Sequence, residues 1–307
     1  MPMLHLNELE IFVAAAEHGS FSEAARFLHL SQPAISQSIQ NLERRFNVQL
    51  FSRQGRTARL SDSGKALLPL ARELIAAARR VEESINSLSG TIAGHIHLGC
   101  STASGKYLLP RKIAQFRAQY PAVRVDVQVC SREVVLQQLL EEVIDFVISS
   151  RQVDHRDLEF VPFYIDEATL LVPAGHPWAR NRHIYPDDLL DEGLILREEG
   201  SGTYTALYEA LRAHDIAPEM LNVVMRLGNA EAVALAVEEG LGVGFVSKLV
   251  AARSVALGRA VEVRVEGFDL RYALYFVRNR RTPLTHSQRA FWEAMQVPQL
   301  EYLEVGK

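Results

Sequence analysis

The 307-residue chain holds two cysteines, two tryptophans and only 8% aromatic residues. Cys100 and Cys130 stand 30 positions apart, a spacing that makes neither a disulfide framework nor a metal-binding pair. Ten histidines include none at i and i+4 beside an acid, so no metal site and no cofactor are expected. No uninterrupted apolar run approaches the roughly 18 residues of a membrane span, because pairs such as Arg72-Glu73 and Glu141-Glu142 break the best candidates. The opening MPMLHLNELEIFV has no basic segment ahead of an apolar core, which argues against a signal peptide and for a soluble, cytoplasmic protein. The Gly-rich stretches GSGT and GLGVG match neither a dinucleotide fingerprint nor a phosphate loop, so an enzyme is not expected. With a net charge of −4, the chain as a whole does not attract nucleic acid; a local basic patch would have to do so.

Such a patch is present. From Arg44 to Lys65, six basic residues (Arg44, Arg45, Arg53, Arg56, Arg59, Lys65) face one acid, Asp62, a local excess of +5. It follows the segment SFSEAARFLHLSQPAISQSIQNLERRF, residues 20–46, which reads as two short helices. Ser20 and Glu23 have the spacing of a capping box, and Ser31 offers a second N-cap, with Pro33 tolerated in the first turn. In the second helix Ile35, Ile39, Leu42 and Phe46 form an apolar stripe, while Pro33, Ser36, Gln37, Gln40 and Arg44 gather on the far side. A merely solvated face usually carries paired Glu and Lys. This one carries amides and hydroxyls without a carboxylate, groups suited to reading base edges in a major groove. Two short helices with such a face on the second have the helix-turn-helix pattern. The Gln54-Gly55 turn signal between Phe51 and Leu60 then predicts a hairpin, or wing, with arginines near its tip.

Residues 62–90 give one long helix in which Leu67, Ala71, Leu74, Ala78, Val81, Ile85 and Leu88 keep 4-3 spacing, a heptad seam. The stripe requires cover, either from a partner helix or from the helix's own domain. Beyond Gly94, apolar runs at 95–100, 123–129 and 146–149 alternate with helical ones at 110–119 and 133–142, a βαβα signal. A second series begins with the run 167–174 and continues with strands near 193–197, 223–227, 243–246, 261–265 and 272–277; the last strand and a helix at 285–295 return to the first lobe.

The run FVAAAEHGSFSEAARFLHLSQPAISQSIQNLERRFNVQLFSRQGRTARLSDSGK resembles the winged helix-turn-helix of the LysR-type transcriptional regulators. YLLPRKIAQFRAQYPAVRVDV, LVPAGHPWA, REEGSGTY and AVEEGLGVGFVS resemble the same family's effector domain, the first and third most like regulators of carbon-fixation and cysteine-related operons. Ser61 and Ser63 stand where many members carry Thr and Ala, and Tyr204 stands where GSGT is often followed by arginine, a departure at a position where the resemblance would otherwise imply an anion contact.

The resemblance implies an N-terminal all-α winged helix-turn-helix with a long linker helix. An α/β two-lobed effector domain of the periplasmic type 2 substrate-binding kind follows. The expected bounds are 1–61 for the DNA-binding domain, 62–90 for a dimerisation helix and 91–307 for the effector domain, with lobe 1 at about 91–164 and 268–307 and lobe 2 at about 165–267. By resemblance, Gln32, Pro33, Ser36 and Gln37 occupy base-reading positions, with Gln40 and Arg44 further along the same face, and Arg53, Arg56 and Thr57 lie in the wing. The implied partners are double-stranded operator or promoter DNA, a small anionic metabolite, a second copy in a homodimer that pairs into tetramers, and RNA polymerase; no membrane partner is implied.

For the metabolite, Ser101, Thr102 and Ser104 open a helix after the strand that ends at Cys100, where free amides favour a carboxylate or phosphate; plain N-capping is the alternative. By resemblance, Ser149 ends a neighbouring strand, Ser201 and Thr203 face the cleft from the second lobe, and Asn229 begins its next helix. A solute-binding module of the same lobe fold, and a thiol-redox regulator using Cys100 and Cys130, remain as alternative functions.

Overall fold

A computed structural model describes residues 4–52, 58–88, 91–100 and 103–296. The chain divides near residue 92 into two compact units. In the first, α1 (Leu6–His18), α2 (Phe21–Phe27) and α3 (Gln32–Phe46) are followed by the paired strands β1 (Phe51–Ser52) and β2 (Arg59–Leu60) and by the long α4 (Asp62–Leu88). Leu9 and Phe12 of α1, Ala24 and Ala25 of α2, and Ile35, Ile39 and Leu42 of α3 form one core with Leu50, Phe51, Ala71 and Ile75.

Ser20 caps α2 by accepting from the Glu23 amide at 3.4 Å, but the reciprocal half of the capping box is absent because the Glu23 carboxylate pairs with Arg26. Ser31 accepts from the Ala34 amide at 3.3 Å, and α3 ends at Asn47 in the left-handed conformation. The expected apolar stripe needs correction at Phe46, which is 42% exposed. The chain turns at Asn47, and Leu50, 2% exposed, fills the core in its place. Phe51 packs edge-on against Phe12 and Phe21, with ring centroids at 5.7 and 5.2 Å.

Antiparallel pairing of Phe51 with Leu60 and of Ser52 with Arg59 forms the base of the expected hairpin. Ser61 then starts α4 by accepting from the Gly64 amide at 3.1 Å and donating to the Gln49 carbonyl, so the cap does not depend on threonine there. Along α4 the heptad seam divides. Ala71 is buried and Leu67 half-buried in the core of their own unit, while Leu74, Val81 and Ile85 are 50%, 60% and 61% exposed, joined by Leu70 at 57%. The side chain of Leu88 lies outside the described residues.

The second unit alternates β3 (Gly94–Cys100), α5 (Leu109–Gln119), β4 (Val123–Val129), α6 (Arg132–Leu140) and β5 (Phe146–Ser149), then runs through the 16-residue β6 (Leu158–Pro173). It continues as α7 (Trp178–Asn181), β7 (His183–Ile184), β8 (Leu194–Arg197), α8 (Gly202–Ala213), β9 (Val223–Leu227), α9 (Ala230–Glu238), β10 (Val243–Ser247), α10 (Lys248–Ala256), β11 (Ala260–Val265), β12 (Arg271–Asn279) and α11 (His286–Met295).

Strand order is β4-β3-β5-β12-β6-β10-β8-β9. The first half of β6 pairs with β12 and its second half with β10 and β11, so one strand belongs to both lobes. Sequence periodicity places the start of this strand about nine residues too late, at 167 instead of Leu158. Pro162 weakens the strand pattern there, because it cannot donate to a ladder. The register shifts beside it: Leu274 lies opposite Tyr164 and Tyr275 opposite Pro162, a bulge that accommodates the proline. Lobe 1 is filled by Phe116, Phe146, Phe276, Phe291 and Trp292 in mutual ring contact, and lobe 2 by aliphatic residues of β6, β8, β10 and α8.

Candidate functional sites: a polar helix face and a cleft between lobes

Two polar clamps hold α3 in addition to its apolar face. Arg45 forks onto Glu8 of α1 at 2.7 and 2.8 Å, and Glu43 Oε1 accepts from the Leu50 and Phe51 amides at 2.7 and 3.2 Å, tying the helix to the wing. Glu43 is the one acid of α3, and this contact takes it away from the outer face. Gln32, Pro33, Gln37, Gln40 and Arg44 are exposed, and Ser36 is half-buried. Gln32 donates to Ser36 Oγ at 3.1 Å, while Asn41 Oδ1 accepts from Gln37 at 2.9 Å and from Arg44 at 2.6 Å. Asn41 is an addition to the sequence-based set; its signal is its position four residues after Gln37. Arg53, Arg56 and Thr57 lie outside the described residues.

In the second unit, a cleft of about 290 Å³ opens at the carboxyl ends of β4, β5, β8 and β9, the position at which open α/β sheets bind ligands. Lobe 1 contributes Ser131, Arg132, Glu133 and Ser150, and lobe 2 contributes Arg197, Ser201, Thr203 and Gly228; Asp166 and Tyr272 come from the crossover strands. Ser201 accepts from the Tyr204 amide at 3.2 Å and so caps α8, whose first residues Gly202 and Thr203 line the cleft.

Two glycines permit the close approach of the lobes. A Cβ on Gly200, where φ is +89°, would lie 3.0 Å from Arg132 Nη2, and one on Gly202 would lie 2.4 Å from Tyr272 Cε2. On α9, Glu231 receives Lys106 and the Tyr107 hydroxyl from lobe 1, a second bridge between the lobes.

The charged groups are held tightly. Arg197, 8% exposed, forks onto Glu198 at 2.7 Å through two nitrogens. Arg132 donates Nη2 to Glu133 at 2.8 Å, whereas its buried Nη1 meets no hydrogen-bond partner among the described residues. Asp166, 3% exposed, accepts from Tyr272 Oη at 2.6 Å, Ser247 Oγ at 2.9 Å and the Glu167 amide at 2.8 Å. Burial pushes the Asp166 carboxyl above its ordinary pKa, against those three hydrogen bonds, and burial likewise raises the Tyr272 phenol.

Of the residues expected here, Ser201 and Thr203 line the cleft. Ser149 does not: its hydroxyl turns back onto the Arg151 backbone at 2.7 Å, and Ser150 takes the lining position. Asn229 stands beside the lining residue Gly228 and spends its side-chain oxygen on the Glu231 and Ala232 amides. Ser101, Thr102 and the side chain of Ser104 lie outside the described residues. Tyr204 stacks on Tyr208 with centroids 3.9 Å apart, and its phenol is pushed up to about 12, first by burial. Cys100 is buried and Cys130 lines the cleft; no disulfide joins them, and the Cys130 amide donates to the Cys100 carbonyl at 3.1 Å. Sequence reasoning missed Arg132, Arg197, Asp166 and Tyr272. A charged residue directly after an apolar strand, as in LILREEG, is the signal that Arg197 offered.

Residues 6–65 match the family model of bacterial regulatory helix-turn-helix proteins of the lysR family, and residues 89–297 match the LysR substrate binding domain. The chain is 32% identical over 277 residues to a probable RuBisCO transcriptional regulator of Cyanidioschyzon merolae, covering 89% of this chain and 91% of that protein. It is 30% identical over 286 residues to the HTH-type transcriptional activator CmpR of a Synechocystis species, covering 93% of each. Similar solved structures include a full-length OxyR variant from Pseudomonas aeruginosa, at TM-score 0.72 and 20% identity over 97% of both chains. Full-length CbnR complexed with its target DNA aligns at TM-score 0.69 and 21% identity, over 95% of this chain and 99% of that one.

Proposed function

The chain belongs to the LysR family of bacterial regulatory helix-turn-helix proteins, and from that membership we propose which of its groups carry each part of regulation. It is a ligand-responsive, DNA-binding transcriptional regulator. Gln32, Pro33, Ser36, Gln37 and Gln40 face base edges from α3, Asn41 orients Gln37 and Arg44, and Arg44 with the wing residues Arg53, Arg56 and Thr57 contacts phosphates. The observation that carries this reading is a polar helix face held outward by two clamps and free of carboxylates. One such module buries only about 600–1,000 Å² on DNA, so two heads joined through α4 are needed for tight specific binding. The 62–90 helix is accordingly the dimerisation element between a 1–61 DNA-binding domain and a 91–307 effector domain, and dimers pair into tetramers on DNA.

In the cleft, the effector is a small anionic metabolite. Among the described residues Arg132 Nη1 has no hydrogen-bond partner, and burying an unsatisfied charged donor is costly. A carboxylate or phosphate oxygen would satisfy it beside the N-termini of α6 and α8. Closure around that ligand changes the arrangement of the heads only if the ligand binds one lobe arrangement more tightly. Contact with RNA polymerase would follow where the regulator activates. Among the described residues no helix is long and apolar enough to cross a membrane.

Fluorescence anisotropy on operator and scrambled DNA across a salt series tests the DNA-facing assignment. Gln37→Ala should relax sequence preference, and Arg53→Ala should weaken binding to both DNAs and flatten the salt dependence. Equal loss of specific and non-specific binding in both variants would show that the faces are wrongly assigned.

A further inference from the structure

Apart from the helix face and the cleft, lobe 1 carries a cluster of nitrogen and oxygen donors that its regulatory role does not use. Strands β3 and β4 run parallel as neighbours, with His95 opposite Arg124 and His97 opposite Asp126, and β4 is the edge of the sheet. Residues two apart on a strand share a face, so His95, His97 and Asp126 project together. One donor atom from each lies within 4.8 Å of the other two. His95 Nε2 is 2.7 Å from Asp126 Oδ2, and the two imidazoles stand 4.1 Å apart. His95 lies near the amino end of β3 and His97 and Asp126 at the middle of their strands, whereas the cleft lies at the carboxyl ends.

A second carboxylate stands behind His97. Asp145 Oδ2 accepts from the His97 amide at 2.7 Å and lies 3.6 Å from His97 Nδ1, while Asp145 Oδ1 is fixed by Gln288 at 2.8 Å. Asp145 thus anchors the His97 backbone and stands just beyond hydrogen-bond distance of its Nδ1, close to where a carboxylate orients a metal-binding histidine through its second ring nitrogen. Two imidazoles and one carboxylate suit zinc-class divalent ions and not the oxygen-seeking calcium or magnesium.

We propose that His95, His97 and Asp126 bind one divalent transition-metal ion of the zinc class, with water in the remaining coordination positions and Asp145 positioning His97. Bonds of about 2.0–2.1 Å in a tetrahedral site bring ligand atoms to roughly 3.4 Å from one another, so the widest pair closes by at most about 1.4 Å, within reach of ring rotation at a half-exposed surface. Arg124 opposes the ion, since its Nε lies 3.5 Å from Asp126 Oδ1, but it is 74% exposed and free to swing into water. The bound ion would pin the edge strand β4 to β3.

Metal-free full-length protein is titrated with zinc chloride by calorimetry and with cobalt(II) by visible absorption. The expected result is one equivalent per chain, an affinity at least about tenfold weaker in His95→Ala and in His97→Ala, and tighter binding in Arg124→Ala. The Cys100→Ser/Cys130→Ser double variant keeps that equivalent without change, which separates the site from the thiols. His95→Ala keeps the test decisive if replacing His97 disturbs the Asp145 contact, and circular dichroism confirms that each variant is folded. No saturable binding by the wild type, or an unchanged equivalent in both folded histidine variants, overturns the proposal.

Discussion

Replacing Val81 with Glu tests how the two DNA-binding heads are joined. In the single chain, Leu70, Leu74, Val81 and Ile85 are each half to three-fifths exposed along one stripe of α4. Full burial of such a side chain is worth about 1.5–3 kcal/mol, so burying the remaining half gains ~1 kcal/mol each. Four side chains from each of two subunits then supply ~8 kcal/mol in gross terms. Association alone costs an estimated ~4–15 kcal/mol, so this seam has little surplus unless other contacts add to it. A carboxylate at position 81 removes the valine's share on both helices and places two like charges close to the apolar seam, each of which must be desolvated or forced out into water. The seam should therefore fail outright. Analytical ultracentrifugation at micromolar protein should show the mass of one chain, and operator affinity should fall because the two heads no longer bind as one. The same change on a solvent-facing position, Arg79→Glu, serves as the control. A folded Val81→Glu protein that keeps the oligomeric mass of the wild type refutes this role for the stripe.

Other expectations rest on single contacts. Glu43→Ala leaves the Leu50 and Phe51 amides without their acceptor and should cost about 1–3 kcal/mol in chemical denaturation, with weaker DNA binding through a loosened wing. Arg132→Gln should weaken binding of small carboxylates or phosphates measured by calorimetry while leaving DNA binding by the ligand-free protein intact; unchanged ligand affinity would remove Arg132 from the effector site. Gly202→Ala drives a methyl group into the Tyr272 ring and should destabilise the effector domain by about 1–3 kcal/mol, read from the thermal midpoint. Asp166 has a raised native pKa, so the folded chain binds a proton that the unfolded chain has already released. That stabilisation is complete below the ordinary aspartate value near ~4 and is lost as pH rises through the raised one. Asp166→Asn should therefore gain stability relative to wild type as pH rises across that window, and parallel melting curves for the two proteins would exclude the effect.

Local rules carry much of this molecule. Ser20, Ser31 and Ser61 start helices because a hydroxyl one residue ahead of a helical run satisfies amides that nothing else reaches, and the 4-3 spacing of Ile35, Ile39 and Leu42 fixes which face of α3 turns inward. The outward face, with its amides, follows from the same spacing, as does the heptad stripe of α4. Strands β4, β5 and β9 are likewise legible as short apolar runs.

Where a contact depends on distant register, the sequence is silent. Phe46 has the right period for the core, yet the turn at Asn47 brings Leu50 into that space. The leading half of β6 is hidden by Pro162, and only pairing with β12 makes it a strand. Arg132 and Arg197 lie 65 positions apart and meet at one cleft because their strands end at the same edge of two lobes. His95 and His97 read as two unremarkable strand residues, since a ligand pair recognisable in sequence is usually helical. Folding β4 beside β3 in a parallel register sets Asp126, 29 residues beyond His97, next to both rings. Periodicity and capping are properties of neighbouring residues, whereas the composition of a cleft or a donor cluster is set by which strands become neighbours, and that is decided by the packing of the whole sheet.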